Sequence, residues 1–280
     1  MVPKEVVTGE IHIGNNHPFV LIAGPCVIET EEMVLKIAHE IKQLADQEGI
    51  PYIFKASYDK ANRSSHESFR GPGLQSGLKI LETVKMQAGV SVLSDVHTVE
   101  EVKQASEVLD IMQIPAFLCR QTDLVMAVGK SGKIVNLKKG QFLSPWDMQN
   151  VVNKVLATGN QNILLTERGT CFGYNNLIND MRSLVIMRDM GFPVVYDATH
   201  STQLPGAMGN ASGGRPEFVR YLSRAATAVG IDALYLEVHP DPKNALSDSG
   251  CMISLSELPQ LLKQVKAIDS MVKQFYAEDK

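Results

Sequence analysis

Four residues scattered along the chain, Cys26, His200, Glu237 and Asp248, offer one sulfur, one imidazole nitrogen and two carboxylates. Such mixed S/N/O ligation suits a borderline divalent ion, Zn²⁺, Fe²⁺ or Mn²⁺, and leaves positions open for water or substrate. Packing is the competing account of the thiol, because a single cysteine at a strand end is more often a small buried hydrophobe than a ligand. A second set, Lys55, Lys60, Arg63, Arg120, Lys138 and Arg168, carries enough positive charge for two phosphates and a carboxylate. Arginine suits bidentate recognition of such groups and lysine acts as a point charge. The 280-residue chain has a formal net charge of -4. A basic cluster inside an acidic protein implies small anionic ligands, and the charge balance argues against nucleic acid or an anionic membrane as partner.

Both sets need a scaffold that brings distant residues to one place. Short β-branched apolar runs recur along the chain: "FVLIAG" at 19, "YIFKAS" at 52, "SVLSDV" at 91, "LDIMQI" at 109, "KIVNLK" at 133, "NILLTE" at 162, "PVVYDA" at 193 and "ALYLEV" at 233. Between them lie segments of helical period, the pattern of parallel strands joined by crossover helices. In "EEMVLKIAHEIKQLADQEG", Val34, Ile37, Ile41 and Leu44 fall on one face and Gly49 ends the helix. In "SPWDMQNVVNKVLATG", Ser144 is the N-cap, Pro145 the first helical residue and Gly159 the stop. Eight strand–helix repeats predict a (β/α)8 TIM barrel, an α/β fold. A doubly wound open sheet would instead show a glycine-rich fingerprint after its first strand. The opening "EVVTGEIHIG" reads as an N-terminal β-hairpin within residues 1–15, turning at Thr8-Gly9 and covering the barrel bottom. No linker or fixed-period repeat divides the chain, so residues 1–280 read as one barrel domain.

In such a barrel the chemistry belongs at the C-terminal ends of the strands. Those ends are polar here: Cys26, then Lys55 and Ser57, Asp95 and His97, Gln113, Lys138 and Lys139, Glu167 and Arg168, Asp197 and His200, Glu237 and His239. Charged groups are rare in interiors unless paired, so their convergence at one mouth is hard to explain as packing. His97 and His239 read equally well as hydrogen-bonded wall residues. Cys119, Cys171 and Cys251 read as structural. The glycine-rich "MGNASGGRPEFV", with Pro216 at a first helical turn, reads as a lid, a phosphate-binding helix start or a plain loop.

Composition sets the outer bounds. With 44% hydrophobic and 21% charged residues the chain has ordinary globular composition. No apolar run approaches the ~18 to 20 residues a membrane helix needs, and no signal-peptide core opens the chain, so a cytoplasmic protein is expected. The four cysteines contain no CxxC pair and indicate neither a disulfide framework nor a zinc knuckle.

Six strings, "FKASYDKANRSS", "QIPAFLCRQTDL", "KKGQF", "ERGTCFGYNNLINDMRSL", "DATHS" and "EVHPDPKNALSD", together resemble the 3-deoxy-D-manno-octulosonate 8-phosphate synthases. The resemblance runs from about Phe19 to the final helix. It implies a (β/α)8 barrel, usually a homotetramer, that condenses phosphoenolpyruvate, water and D-arabinose 5-phosphate and releases phosphate, in a pathway to lipopolysaccharide. It also implies a branch. Metal-independent members carry asparagine where Cys26 stands, with "KKPQF" and "CDGP" further on, whereas this chain has "AGPCVIE", "KKGQF" and "ALSDSGC". These departures point to the metal-dependent branch, with Cys26, His200, Glu237 and Asp248 as ligands, the last assigned from "NALSD" and its distance from Glu237. By the same resemblance Lys55, Lys138 and Arg168 hold phosphoenolpyruvate, with Gln113 nearby, and Lys60 lies between the substrates. Ser57 belongs to the same motif, Asn62 contacts the pentose, and Arg63 and Ser64 take its phosphate. Arg120 reaches in across a subunit boundary, and Asp95 bonds the sugar or the metal-bound water. The catalytic group is then Cys26, Lys60, Asp95 and His200. The related 3-deoxy-D-arabino-heptulosonate 7-phosphate synthases, which use erythrose 4-phosphate, carry a "KPRTS"-like string where this chain has "KANRSS".

Overall fold

The run Val20–Gly24 is buried along its whole length and begins a closed ring of eight parallel strands. The computed structural model describes residues 3–63, 65–206 and 213–278. The barrel strands are β1 (Val20–Gly24), β2 (Tyr52–Lys55), β3 (Ser91–Asp95), β4 (Ile111–Ile114), β5 (Ile134–Lys138), β6 (Ile163–Glu167), β7 (Val194–Asp197) and β8 (Ala233–His239). Each pairs with the next in parallel, and β8 pairs with β1 to close the ring. All eight predicted runs therefore become barrel strands. The helices α1 (Glu31–Glu48), α2 (Leu74–Ala88), α3 (Val99–Val108), α4 (Thr122–Lys130), α5 (Met148–Leu156), α6 (Arg182–Arg188), α7 (Val219–Val229) and α8 (Leu258–Glu278) follow the strands in turn.

Side chains alternate across each strand, which separates two apolar clusters. Leu21, Tyr52, Phe54, Val92, Met112, Val135 and Leu165 point outward and pack against the helices. Val20, Ile22, Ile53, Leu93, Ile111, Ile134, Leu164, Val195 and Tyr235 point inward and fill the barrel. The N-terminal hairpin (Val6–Thr8 and Ile11–Ile13) adds Val6 and Ile13 to this interior cluster and so plugs the bottom. Its turn is Gly9-Glu10, one residue later than expected: Thr8 pairs with Ile11, and Gly9 supplies the positive φ of 56°.

Local signals set the helix ends. In α1 the Thr30 side chain accepts from the Met33 amide and Gly49 adopts a left-handed φ of 63°. Val34, Ile37, Ala38, Ile41 and Ala45 are its buried face, so Ala45 takes the position assigned to Leu44, which is only partly covered. Pro145 and Pro216 each open a 3₁₀ turn that leads into α5 and α7, rather than the α-helix itself.

Candidate active site

The inward register that fills the barrel floor with Ile and Val continues upward into polar residues. Lys55 follows Ile53, Asp95 follows Leu93, Gln113 follows Ile111, Asp197 follows Val195, and Glu237 follows Tyr235, each two residues on and facing the same way. Above them opens a cavity of about 410 Å³. Its walls include Lys55, Lys60, Asn62, Arg63, Asp95, His97, Gln113, Lys138, Arg168, His200, Glu237 and Asp248. Cys26 and Ser57 are buried just behind this wall.

The four S/N/O donors converge. Ligand atoms of Cys26, Glu237 and Asp248 lie within 4.8 Å of one another. His200 Nε2 stands 3.6 Å from Glu237 Oε2 and 3.8 Å from Asp248 Oδ2. Gly24, two residues before Cys26, lets β1 pass close against β2, since a Cβ there would sit 2.0 Å from the Lys55 carbonyl oxygen. Asp248 holds a left-handed φ of 44°, a strain of the kind that clusters at functional sites. Asp197, which the sequence reading noted at its strand end without a role, sets the imidazole: its Oδ2 lies 2.7 Å from His200 Nδ1, leaving Nε2 to face the other donors.

The charge state of this group fits a cation. Burial raises the carboxyls of Glu237, Asp248 and Asp197, but nearby cations outweigh it and hold all three below the usual carboxylate range. The groups that lower them are His200, Lys55, Lys60 and Lys138 at Glu237, a hydrogen bond from His200 and the charge of Lys60 at Asp248, and His200 and Lys138 at Asp197. Burial, then the charges of Asp248 and Glu237, push the Cys26 thiol up, which is what a bound divalent ion reverses. Glu237 Oε2 is buried without a hydrogen-bond partner. A sulfur, a fixed imidazole nitrogen and two ionised carboxylates are a donor set that a Zn²⁺, Fe²⁺ or Mn²⁺ ion would satisfy.

The cationic side is equally specific. Lys55 Nζ lies 2.6 Å from Glu237 Oε1, and Lys60 Nζ 3.8 Å from the same oxygen. Burial lowers the Lys60 ammonium's pKa, but Cys26, Glu237, Asp95 and Asp248 around it win and keep it high, so Lys60 stays charged. Lys138 Nζ lies 2.6 Å from Asp197 Oδ2 and 4.2 Å above the ring of Tyr235, an aromatic floor that the sequence reading passed over. Arg168 Nη2 donates to Gln203, while its Nη1 is buried with no partner. Arg63 Nη1 lies 3.6 Å from Asp248 Oδ1, and its Nη2 is likewise buried with no partner. Buried guanidinium donors without acceptors are ready to receive an anion.

Strand alternation removes other expected residues from the mouth. Lys139 and Glu167 face away from the cavity and form a buried pair at 3.5 Å. Lys139 also donates to Thr170 and two carbonyls, and Glu167 accepts from Ser183 and two backbone amides. The outward positions were legible from the period of two, which separates Lys138 from Lys139 and Arg168 from Glu167. His97 lines the cavity and is tied to Glu101, whereas His239 lies outside it, near Glu29. Arg120 is exposed in a separate surface groove with Asp147, Asn150 and Lys154. Cys119 and Cys251 are buried, but the Cys171 side chain is exposed. Ser64 and the first five residues of the glycine-rich stretch, 208–212, lie outside the described residues. A second His/Glu group, exposed Glu5 and His12 with half-buried His17, lies at the hairpin on the opposite end, where Glu5 Oε1 bonds both rings.

Comparison with known proteins agrees with this geometry. The DAHP synthetase I family matches residues 3–274. A 2-dehydro-3-deoxyphosphooctonate aldolase of Geotalea uraniireducens is 60% identical over 270 residues, covering 96% of this chain and 99% of that protein. The proteins of the same name from Geobacter sulfurreducens and Syntrophotalea carbinolica are 59% and 57% identical, covering 96% and 97% of this chain and 99% and 98% of theirs. The chain belongs to the DAHP synthetase I family, alongside its 2-dehydro-3-deoxyphosphooctonate aldolases.

Proposed function

We propose that the protein condenses phosphoenolpyruvate with D-arabinose 5-phosphate and water, giving 3-deoxy-D-manno-octulosonate 8-phosphate and inorganic phosphate. The relatives' shared name supports this choice over the erythrose 4-phosphate reaction. The observation that carries it is one cavity holding Lys55, Lys60, Lys138 and two arginines with unpartnered buried donors beside a four-residue S/N/O donor set.

Carbon 3 of phosphoenolpyruvate attacks the aldehyde carbon and water adds at carbon 2. The resulting tetrahedral intermediate loses phosphate as its carbon–oxygen bond breaks. Lys55, Lys138 and Arg168 hold the phosphate and carboxylate of phosphoenolpyruvate, with Gln113 beside them. Lys60 lies between the substrates and stabilises developing oxyanion charge. Asn62 contacts the pentose and Arg63 its phosphate, in a role shared with Ser64. Asp95, with both oxygens already bonded by Ser57 and Gln113, accepts from a sugar hydroxyl or the attacking water. Holding two anions in near-attack geometry supplies much of the rate, because they otherwise repel. Cys26, His200, Glu237 and Asp248 would hold the divalent ion, which when bound supplies Lewis-acid charge for the aldehyde oxygen or the water.

We also read the protein as a cytoplasmic homotetramer serving lipopolysaccharide synthesis. Among the described residues no helix is long and apolar enough to cross a membrane. Phe117, Phe142, Trp146, Phe172 and Tyr174 are exposed on the loops after β4, β5 and β6, a surface suited to burial against another copy. Arg120, exposed after β4 on this same side, is read as reaching a neighbour's mouth.

The test is phosphate release from phosphoenolpyruvate with arabinose 5-phosphate or erythrose 4-phosphate, before and after chelation, with metal content read on the same sample. Turnover with the pentose, lost with the metal and restored by a divalent ion, supports the reading. Preference for the tetrose rejects the substrate assignment, and activity in metal-free protein rejects the metal.

A further inference from the structure

One layer of side chains inside the barrel is joined by hydrogen bonds from β6 round to the segment after β2. Thr166 Oγ1 donates to Asn136 Oδ1 at 2.6 Å, and Asn136 Nδ2 donates to Gln113 Oε1 at 2.8 Å. Gln113 Nε2 and Ser57 Oγ then donate to the two oxygens of Asp95. Strand register makes the row continuous, with Asp95 beside Gln113 and Gln113 beside Asn136. Asn136 and Thr166 are fully buried and neither lines the cavity.

The polarity of the row follows from its ends. An ionised carboxylate only accepts, so Gln113 must turn its amide NH₂ toward Asp95. That leaves Gln113 Oε1 facing Asn136, which must present its own NH₂, and Asn136 Oδ1 then needs a donor. The Thr166 hydroxyl is that donor. Barrel layers are ordinarily filled by branched apolar side chains, so polar residues at Asn136 and Thr166 need a reason. Satisfying the far end of Gln113 supplies one, because an unpaired buried oxygen is costly and would let the amide turn over. Lys55, Lys60 and Lys138, with His97 beside them, surround Asp95 and outweigh burial to keep it ionised. The row therefore contributes direction where the cations contribute charge.

We propose that Asn136 and Thr166 are positioning residues: through Gln113 they hold Asp95 as a fixed, acceptor-only group for a hydroxyl of the arabinose 5-phosphate. The inference rests on the reaction assigned above. It is tested by steady-state phosphate release in Thr166→Val, Thr166→Ser and Asn136→Asp, varying each substrate, together with a ¹³C NMR titration of the Asp95 carboxyl. Thr166→Val is expected to lower kcat/KM for arabinose 5-phosphate about tenfold, the scale of one buried hydrogen bond. The KM for phosphoenolpyruvate stays within about twofold, and Thr166→Ser recovers most of the loss. Asn136→Asp makes Gln113 turn its NH₂ away and present oxygen to Asp95, so its loss is larger and the Asp95 titration moves upward.

Wild-type rates in Thr166→Val, equal losses toward both substrates, or a serine variant as poor as the valine one would overturn the proposal. If Thr166→Val does not fold, Asn136→Asp carries the same decision. If the wild type releases no phosphate from this substrate pair, the assigned reaction fails and the titration decides the row alone: an Asp95 unmoved by Asn136→Asp overturns it.

Discussion

His200 Nδ1 and Lys138 Nζ meet on one oxygen, Asp197 Oδ2, at 2.7 and 2.6 Å. Asp197 thus belongs to both halves of the mouth. It turns His200 Nε2 toward Glu237 and Asp248, and it holds Lys138 over Tyr235 among the anion-binding groups. Neither half is independent of the other.

Asp197→Asn keeps the size of the side chain but removes the charge that fixes the imidazole. Affinity for the divalent ion is expected to fall about 10- to 100-fold, the usual scale for losing such a partner. Competition against a chromophoric chelator measures it; an unchanged affinity would take Asp197 out of this role.

Cys26→Ala removes the sulfur donor while disturbing few contacts, since among the described residues Sγ bonds the Ser247 and Asp248 side chains alone. Retained metal and phosphate release are expected to vanish together in a protein that still folds. Full turnover by rigorously metal-free Cys26→Ala protein would return the thiol to a packing role.

Arg168→Ala should raise KM for phosphoenolpyruvate about 10- to 100-fold, as expected for one charge-assisted hydrogen bond, and leave KM for the pentose nearly unchanged. Arg168→Lys is not expected to rescue it, because a point charge cannot reproduce the planar fork that bonds Gln203 and leaves Nη1 free. A lysine variant with wild-type KM would make charge alone sufficient.

Lys139→Met leaves Glu167 buried without its cation. Chemical denaturation is expected to show a loss of about 3 to 5 kcal/mol, the cost of breaking a buried pair by removing one partner. In surviving folded protein both KM values should hold, since Lys139 faces away from the cavity. A specific rise in one KM would put Lys139 back in the mouth.

Glu101 sets an acid limit on the loop that carries His97. Burial raises its carboxyl, but hydrogen bonds from His97 and Tyr58 outweigh it and depress the folded value below 4.5. A depressed carboxyl contributes stability that is fully present above its unfolded value and is lost as pH falls through the folded one. Unfolding midpoints should therefore fall on acidification below about pH 4.5, with a shallower slope in Glu101→Gln. Identical acid slopes in the two proteins would exclude this contribution.

The sequence by itself determined the eight strands, the barrel class and the two chemical sets, because strand runs, helix stops and residue types are local properties. Thr30, Gly49 and the alternating runs act within a few residues, so they are visible without a fold. Tertiary structure decided which neighbours share a face in the closed ring. It placed Lys138 and Arg168 inward and Lys139 and Glu167 outward, although a strict count of two along β5 and β6 already implied that much. Asp197 meets His200 through the short turn that follows β7, but closure alone brought Thr166, Asn136 and Gln113 into one row ending at Asp95. The row depends on the stagger between strands, which spacing along the chain does not encode. A hydrogen bond needs its partners within about 3 Å, and only closure of the barrel fixes positions that finely.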